Sequence, residues 1–142
     1  MHSLIDALLV HNDIEADAYG IATTVGDIID TLGYDGVIWI LDIGDITATG
    51  TINASVYDDD AVAMGTEAEI VASRITALTA AGGDSNEMVV IQILRPKKRY
   101  CRIKVVTGTA GADLGVMSLR WRGRREPVTQ VAVSEAIKLV SP

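Results

Sequence analysis

Apolar and polar side chains alternate one for one along much of this chain, the spacing of a β-strand with one buried face. The clearest stretch is Thr47 to Tyr57. Ala48, Gly50, Ile52, Ala54 and Val56 fall on one side, and Thr47, Thr49, Thr51, Asn53, Ser55 and Tyr57 on the other. Arg99 to Thr107 repeats the pattern, with Cys101, Ile103 and Val105 opposed to Arg102 and Lys104. Leu114 to Arg122 predicts a last strand with Met117, Leu119 and Trp121 facing inward and Ser118, Arg120 and Arg122 outward. Val37 to Ile43 and Met88 to Leu94 are apolar on both faces and predict buried strands, the second stopped by Pro96. Gly20 to Thr31 has strand composition, followed by turn chemistry at Gly33 and Asp35-Gly36.

Two stretches read both ways. Thr66 with Glu69 makes a capping box and Gly82 would close a helix, yet the β-branched residues and alternation of Ile75 to Thr79 favour a strand. Ser3 to Val10 fits a short helix capped by Ser3, or an arm lying on another subunit.

Six or seven strands without a βαβ rhythm predict an all-β fold, an antiparallel β-sandwich or a barrel. At 142 residues the chain is one domain. The pattern divides it into an N-terminal arm or short helix over 1–19, a β-sandwich over 20–125 and a C-terminal arm over 126–142. Fully extended, that last segment reaches roughly 55 Å. The body has a radius of gyration of only about 14 to 15 Å. Val131, Val133, Ile137, Leu139 and Val140 of the arm need burial, so a neighbouring subunit is within reach.

Composition narrows the chemistry. Aromatics make up 4% with no Phe, which leaves aliphatic side chains to build the core. Cys101 is the single cysteine, so an intrachain disulfide framework and a four-thiolate metal site are excluded. The run Val37 to Leu41 is far too short for a membrane span, and Asp6 interrupts the N-terminal apolar stretch, so neither a membrane partner nor a secretory signal is expected.

The net charge of −7 conceals a division: residues 1 to 73 carry fourteen acids and no Lys or Arg, whereas ten of the twelve basic residues lie between Arg95 and Arg125. One reading pairs acidic and basic strands as neighbours. Another gives the molecule faces of opposite sign for different subunits. Nucleic acid is not an expected partner, because the acidic whole repels a polyanion and the basic stretch lacks interleaved aromatics for stacking.

The groups an enzyme would need are thin. His2 and His11 lack metal-binding spacing and read as exposed terminal histidines. Cys101 reads as a small core residue, and Gly108, Gly111 and Gly115 match no phosphate loop. Asp58-Asp59-Asp60 reads as a solvated turn. Asp13, Glu15 and Asp17 have the spacing of oxygen ligands, but Ala18 and Thr24 stand where a calcium loop needs Gly and Glu. Loose Ca²⁺ binding at a subunit contact stays open. The expectation is a protein with no catalytic residue, no cofactor and no dedicated metal ligand.

Arg95-Pro96-Lys97-Lys98-Arg99-Tyr100-Cys101-Arg102-Ile103-Lys104-Val105, with Ser118-Leu119-Arg120-Trp121-Arg122-Gly123, Pro127 and the earlier Thr51 to Asp59, resembles a family of small structural proteins of tailed bacteriophages. The resemblance spans roughly residues 35 to 127 in pattern. It implies a β-sandwich, often of jelly-roll type, that serves as a non-enzymatic capsid decoration or cement protein. Such a protein sits on the outside of the virion head as a homo-oligomer, commonly a trimer, with the major capsid protein as partner. Candidate contacts are Lys97, Lys98, Arg99, Arg120, Arg122, Arg124 and Arg125 for acidic surfaces, and Val131, Val133, Ile137 and Leu139 for apolar ones. The alternatives are a phage tail or neck component and a carbohydrate-binding β-sandwich, the latter weakened because Trp39 and Trp121 read as buried.

Overall fold

A computed structural model describes residues 8–121 of the chain. The arm expected over 126–142 lies outside those residues, as do Met1 to Ala7. Ten strands form two antiparallel sheets. The first holds β1 (Leu8–Tyr19), β10 (Ala112–Trp121), β4 (Gly36–Ile46) and β8 (Met88–Leu94), side by side in that order. The second runs from β2 (Ala22–Val25) through β9 (Tyr100–Gly108) to β5 (Thr51–Asp59) and β6 (Ala68–Glu69). In that sheet β3 (Ile29–Asp30) also pairs with β9, and β7 (Ile75–Thr79) with β5. Early strands pair with late ones: β1 with β10, β2 with β9, β4 with β8. This nested order is a jelly-roll β-sandwich, as the sequence predicts.

The core lies between the sheets and is almost wholly aliphatic, with Trp39 at its centre and fully buried. Alternation works as expected in β5, which buries Ile52, Ala54 and Val56, and in β9, which buries Cys101, Ile103 and Val105. The strand begins at Thr51 rather than Thr47, because Thr47 to Gly50 turn the chain from one sheet to the other.

Several expectations are corrected. From Leu8 onward the N-terminal segment is neither arm nor helix but strand β1, hydrogen-bonded along β10. Its register slips between Asn12 and Ile14, and this bulge lets two consecutive residues, Asp13 and Ile14, both face the core. The faces of β10 are the reverse of those predicted. Ala112, Leu114 and Val116 anchor the inner face and no later bulge changes the frame, so period two drives Ser118 and Arg120 inward and Met117, Leu119 and Trp121 outward. In the ambiguous stretch, Ile75 to Thr79 is strand β7, preceded by a single 3₁₀ turn at Val71–Ser73. The capping-box signal is spent elsewhere: Thr66 bonds to Asp59, and Glu69 pairs with Arg74.

Gly36 is not a turn residue. It opens β4, where the Trp121 ring lies so close that a Cβ would overlap it at 2.2 Å.

Candidate functional site

The charge division resolves across strand pairs. Arg99 grips Asp30 with two hydrogen bonds, Nε at 2.9 Å and Nη2 at 2.7 Å. Glu67 accepts from Arg102 at 2.6 Å and from Lys104, while Lys98 lies 3.3 Å from Asp58. Acids from the first half of the chain thus neutralise the basic face of β9, as the first of the two readings expected. Of the predicted contacts, Lys97 is exposed, Lys98 and Arg99 are engaged as above, and Arg120 points inward. Arg120 donates to the Asp30 carbonyl at 2.9 Å and stacks 5.2 Å over Tyr34. Arg122, Arg124, Arg125, Val131, Val133, Ile137 and Leu139 lie outside the described residues.

Asp58-Asp59-Asp60 is not a solvated turn. Asp58 and Asp59 are buried, and Asp59 accepts from the Ala61 and Thr66 amides, which hold its carboxyl below the ordinary range.

Two features of the surface and interior stand out against this neutralised body. The first is the outer face of the four-stranded sheet. Met117, Ile40 and Val90 form one cross-strand row there, Leu119 and Ile38 lie in the next beside the exposed Gln92, and Trp121, Gly36 and Leu94 follow. Met88, Val90 and Leu94 are 63%, 56% and 67% exposed, and Met117 is 45% exposed. Scattered apolar residues on a surface are ordinary, but a contiguous apolar sheet face marks an interaction site. An apolar cleft lined by Ile14, Ile40, Met88, Val116 and Met117 opens on the same sheet.

These residues escaped the sequence-based choice of contacts, although their signal was present. Val37 to Ile43 and Met88 to Leu94 are apolar on both faces. In a two-layer sandwich only one face of each strand can meet the core, so the second apolar face must lie outside.

The second feature is a polar cluster under β1. Trp39 Nε1 donates to Asp13 Oδ2 at 2.8 Å, and the Asp27 amide donates to Asp13 Oδ1 at 2.6 Å. His11 Nε2 lies 2.7 Å from Asp27 Oδ2, so His11 is not the exposed terminal residue expected from sequence. Burial pushes the Asp13 carboxyl up to about 6, the two hydrogen bonds offsetting only part of that cost. Asp13 joins His11 and Asp27 rather than the exposed Glu15 and Asp17 with which its spacing grouped it. An open cleft of about 570 Å³ lies beside the cluster, lined by His11, Gly26, Asp27, Ile29, Arg102 and Arg120. Cys101 is fully buried and its thiol is pushed up to about 12 by desolvation, which removes it as a nucleophile. Trp39 is buried and cannot stack on a sugar; Trp121 lies on the outer face, contrary to expectation.

The architecture therefore defines a jelly-roll sandwich with one apolar outer sheet. No protein-family model matches the chain, and no curated protein sequence does. Among solved structures, the fold is similar to that of the PBSX exported protein XepA, with a TM-score of 0.59 at 10% identity. The likeness covers 100% of this chain and 46% of XepA, so the chain spans about half the length of that protein. A pilin of the disulfide-linked endospore appendages of Bacillus aligns at a TM-score of 0.42 and 16% identity, over 81% of this chain and 89% of that one.

Proposed function

We propose that this protein is a non-enzymatic structural component of a tailed-phage particle, a decoration or cement protein that binds the outside of the capsid and stabilises the head. In this reading it acts as a homo-oligomer, a trimer by the family resemblance, with the major capsid protein as its partner. The observation that carries the proposal is the apolar outer face of the four-stranded sheet, where Met88, Val90, Leu94 and Met117 stand exposed together. Covering each such side chain at an interface is worth about 1.5–3 kcal/mol. The jelly-roll fold, shared with an exported protein of the phage PBSX, and the sequence resemblance support the same class.

Because the basic residues of β9 are paired within the molecule, attachment is expected to depend on this apolar face more than on long-range charge. It should persist in about 1 M salt, where screening acts beyond about 3 Å. The test is co-sedimentation of the purified protein with expanded heads that lack it. Val90→Glu combined with Met117→Glu should leave the circular dichroism spectrum unchanged, since both side chains are exposed, yet abolish attachment. A folded double variant that attaches like the wild type would refute the proposal.

A further inference from the structure

We infer that His11, Asp13 and Asp27 form a site for one divalent transition-metal ion, placed between strand β1 of the first sheet and the β2–β3 connection of the second. Each residue offers one ligand atom, and the three atoms lie within 4.8 Å of one another. A tetrahedral zinc ion with bonds of about 2.0–2.1 Å holds its ligands roughly 3.3 Å apart. The His11–Asp27 pair at 2.7 Å would therefore open by less than about 1 Å to admit it. One imidazole nitrogen with two carboxylates suits zinc and its neighbours, whereas calcium and magnesium take oxygen ligands.

The supporting contacts of a metal site are already in place. Ligating carboxylates are held by hydrogen bonds of their own. Asp13 has two, from the Trp39 indole and from the Asp27 backbone amide, and together they fix both of its oxygens. The bulge after Asn12 is what turns this carboxylate inward, at the cost of regular pairing. Gly26 keeps the approach clear, because a Cβ there would stand 2.6 Å from Asp13 Oδ1.

A separate observation points to the same cluster. Ser118 is 1% exposed, and its hydroxyl has no hydrogen-bond partner among the described residues. Register places it on the inner face of β10 in one cross-strand row, with His11 on one side and Trp39 on the other. Both of those neighbours engage the Asp13–Asp27 cluster. A buried hydroxyl left unpartnered is costly, and a metal-bound water in the cluster would satisfy it. The adjoining cleft, which Arg102 and Arg120 also line, opens the cluster to solvent at His11 and at Asp27, whose side chain stands 67% exposed.

The experiment is calorimetric titration of the full chain with ZnCl₂, beside the single variants His11→Ala, Asp27→Asn and His2→Ala. The expected result is one equivalent bound by the wild type and by His2→Ala, with affinity falling by about tenfold or more in the other two. X-ray absorption of the zinc-loaded protein should show a single imidazole and oxygen ligands. Asp27 is exposed, so Asp27→Asn should fold even if His11→Ala does not, and it carries the test alone. No zinc uptake by the wild type, or uptake unchanged in Asp27→Asn, overturns the inference. So does binding that follows His2 instead of His11.

Discussion

Glu67 and Asp13 carry opposite signs of pH dependence. The hydrogen bond from Arg102 first, and that from Lys104 after it, hold the Glu67 carboxyl below the ordinary glutamate range. Its contribution is therefore present above the unfolded-state value of about 4.3 and is lost as the pH falls through the lower folded-state value. Asp13 is held at about 6, so the folded state takes up its proton before the unfolded chain does. Its contribution is greatest below about pH 4 and falls away as the pH rises to 6. Glu67→Gln should destabilise the protein by about 1–2 kcal/mol at pH 7. In urea denaturation that difference should shrink as the pH drops below about 4; a pH-independent difference would mean that packing, not charge, is lost. The charge division announced that acids and bases would pair across strands, but not which residues would meet. Glu67 and its two cations are 35 and 37 positions apart, and only the β5–β9 ladder and the turn after it bring them together.

At the level of strands, the legible parts were those whose pattern admits one frame. β5 and β9 place small apolar residues on every second position and could face only one way. β10 admits two frames, because Leu114 and Val116 share one parity while Met117, Leu119 and Trp121 share the other. The larger side chains suggested the wrong frame, and the core took the smaller set. β1 was hidden by its bulge, which breaks the period-two signal where Asp13 turns inward.

Turns carry their own strain. Thr109, between β9 and β10, sits at φ 62°, a conformation that β-branched residues rarely adopt. Thr109→Gly should raise stability by about 0.5–1 kcal/mol, read from the shift in the denaturation midpoint. In β7, Ala77 at φ 54° marks an irregularity in the pairing with β5, and its amide is satisfied by the Asn53 side chain at 2.8 Å. Asn53→Ala should therefore cost about 1 kcal/mol, measured in the same way.

For the whole molecule, the core among the described residues draws on positions from Ile14 to Val116. Removing residues 127–142 should leave the circular dichroism and melting curve close to those of the full chain while weakening assembly in sedimentation. A truncated chain that fails to fold would show that the segment belongs to the core. The all-β sandwich class was legible from strand count and rhythm, and its jelly-roll type only from the family resemblance. The nested pairing was not, since it joins residues as far apart as Leu8 and Trp121.

That same pairing bears on how the protein can be labelled. Leu8 lies directly opposite Trp121, so a fluorophore or affinity label on either of these two positions sits at one corner of the sandwich, next to Leu94 and the apolar sheet. The Gly82-Gly83 turn belongs to the other end, where the loop before β8 is tied to Gly44 and Ile46. A reporter inserted there would leave the contact face unobstructed.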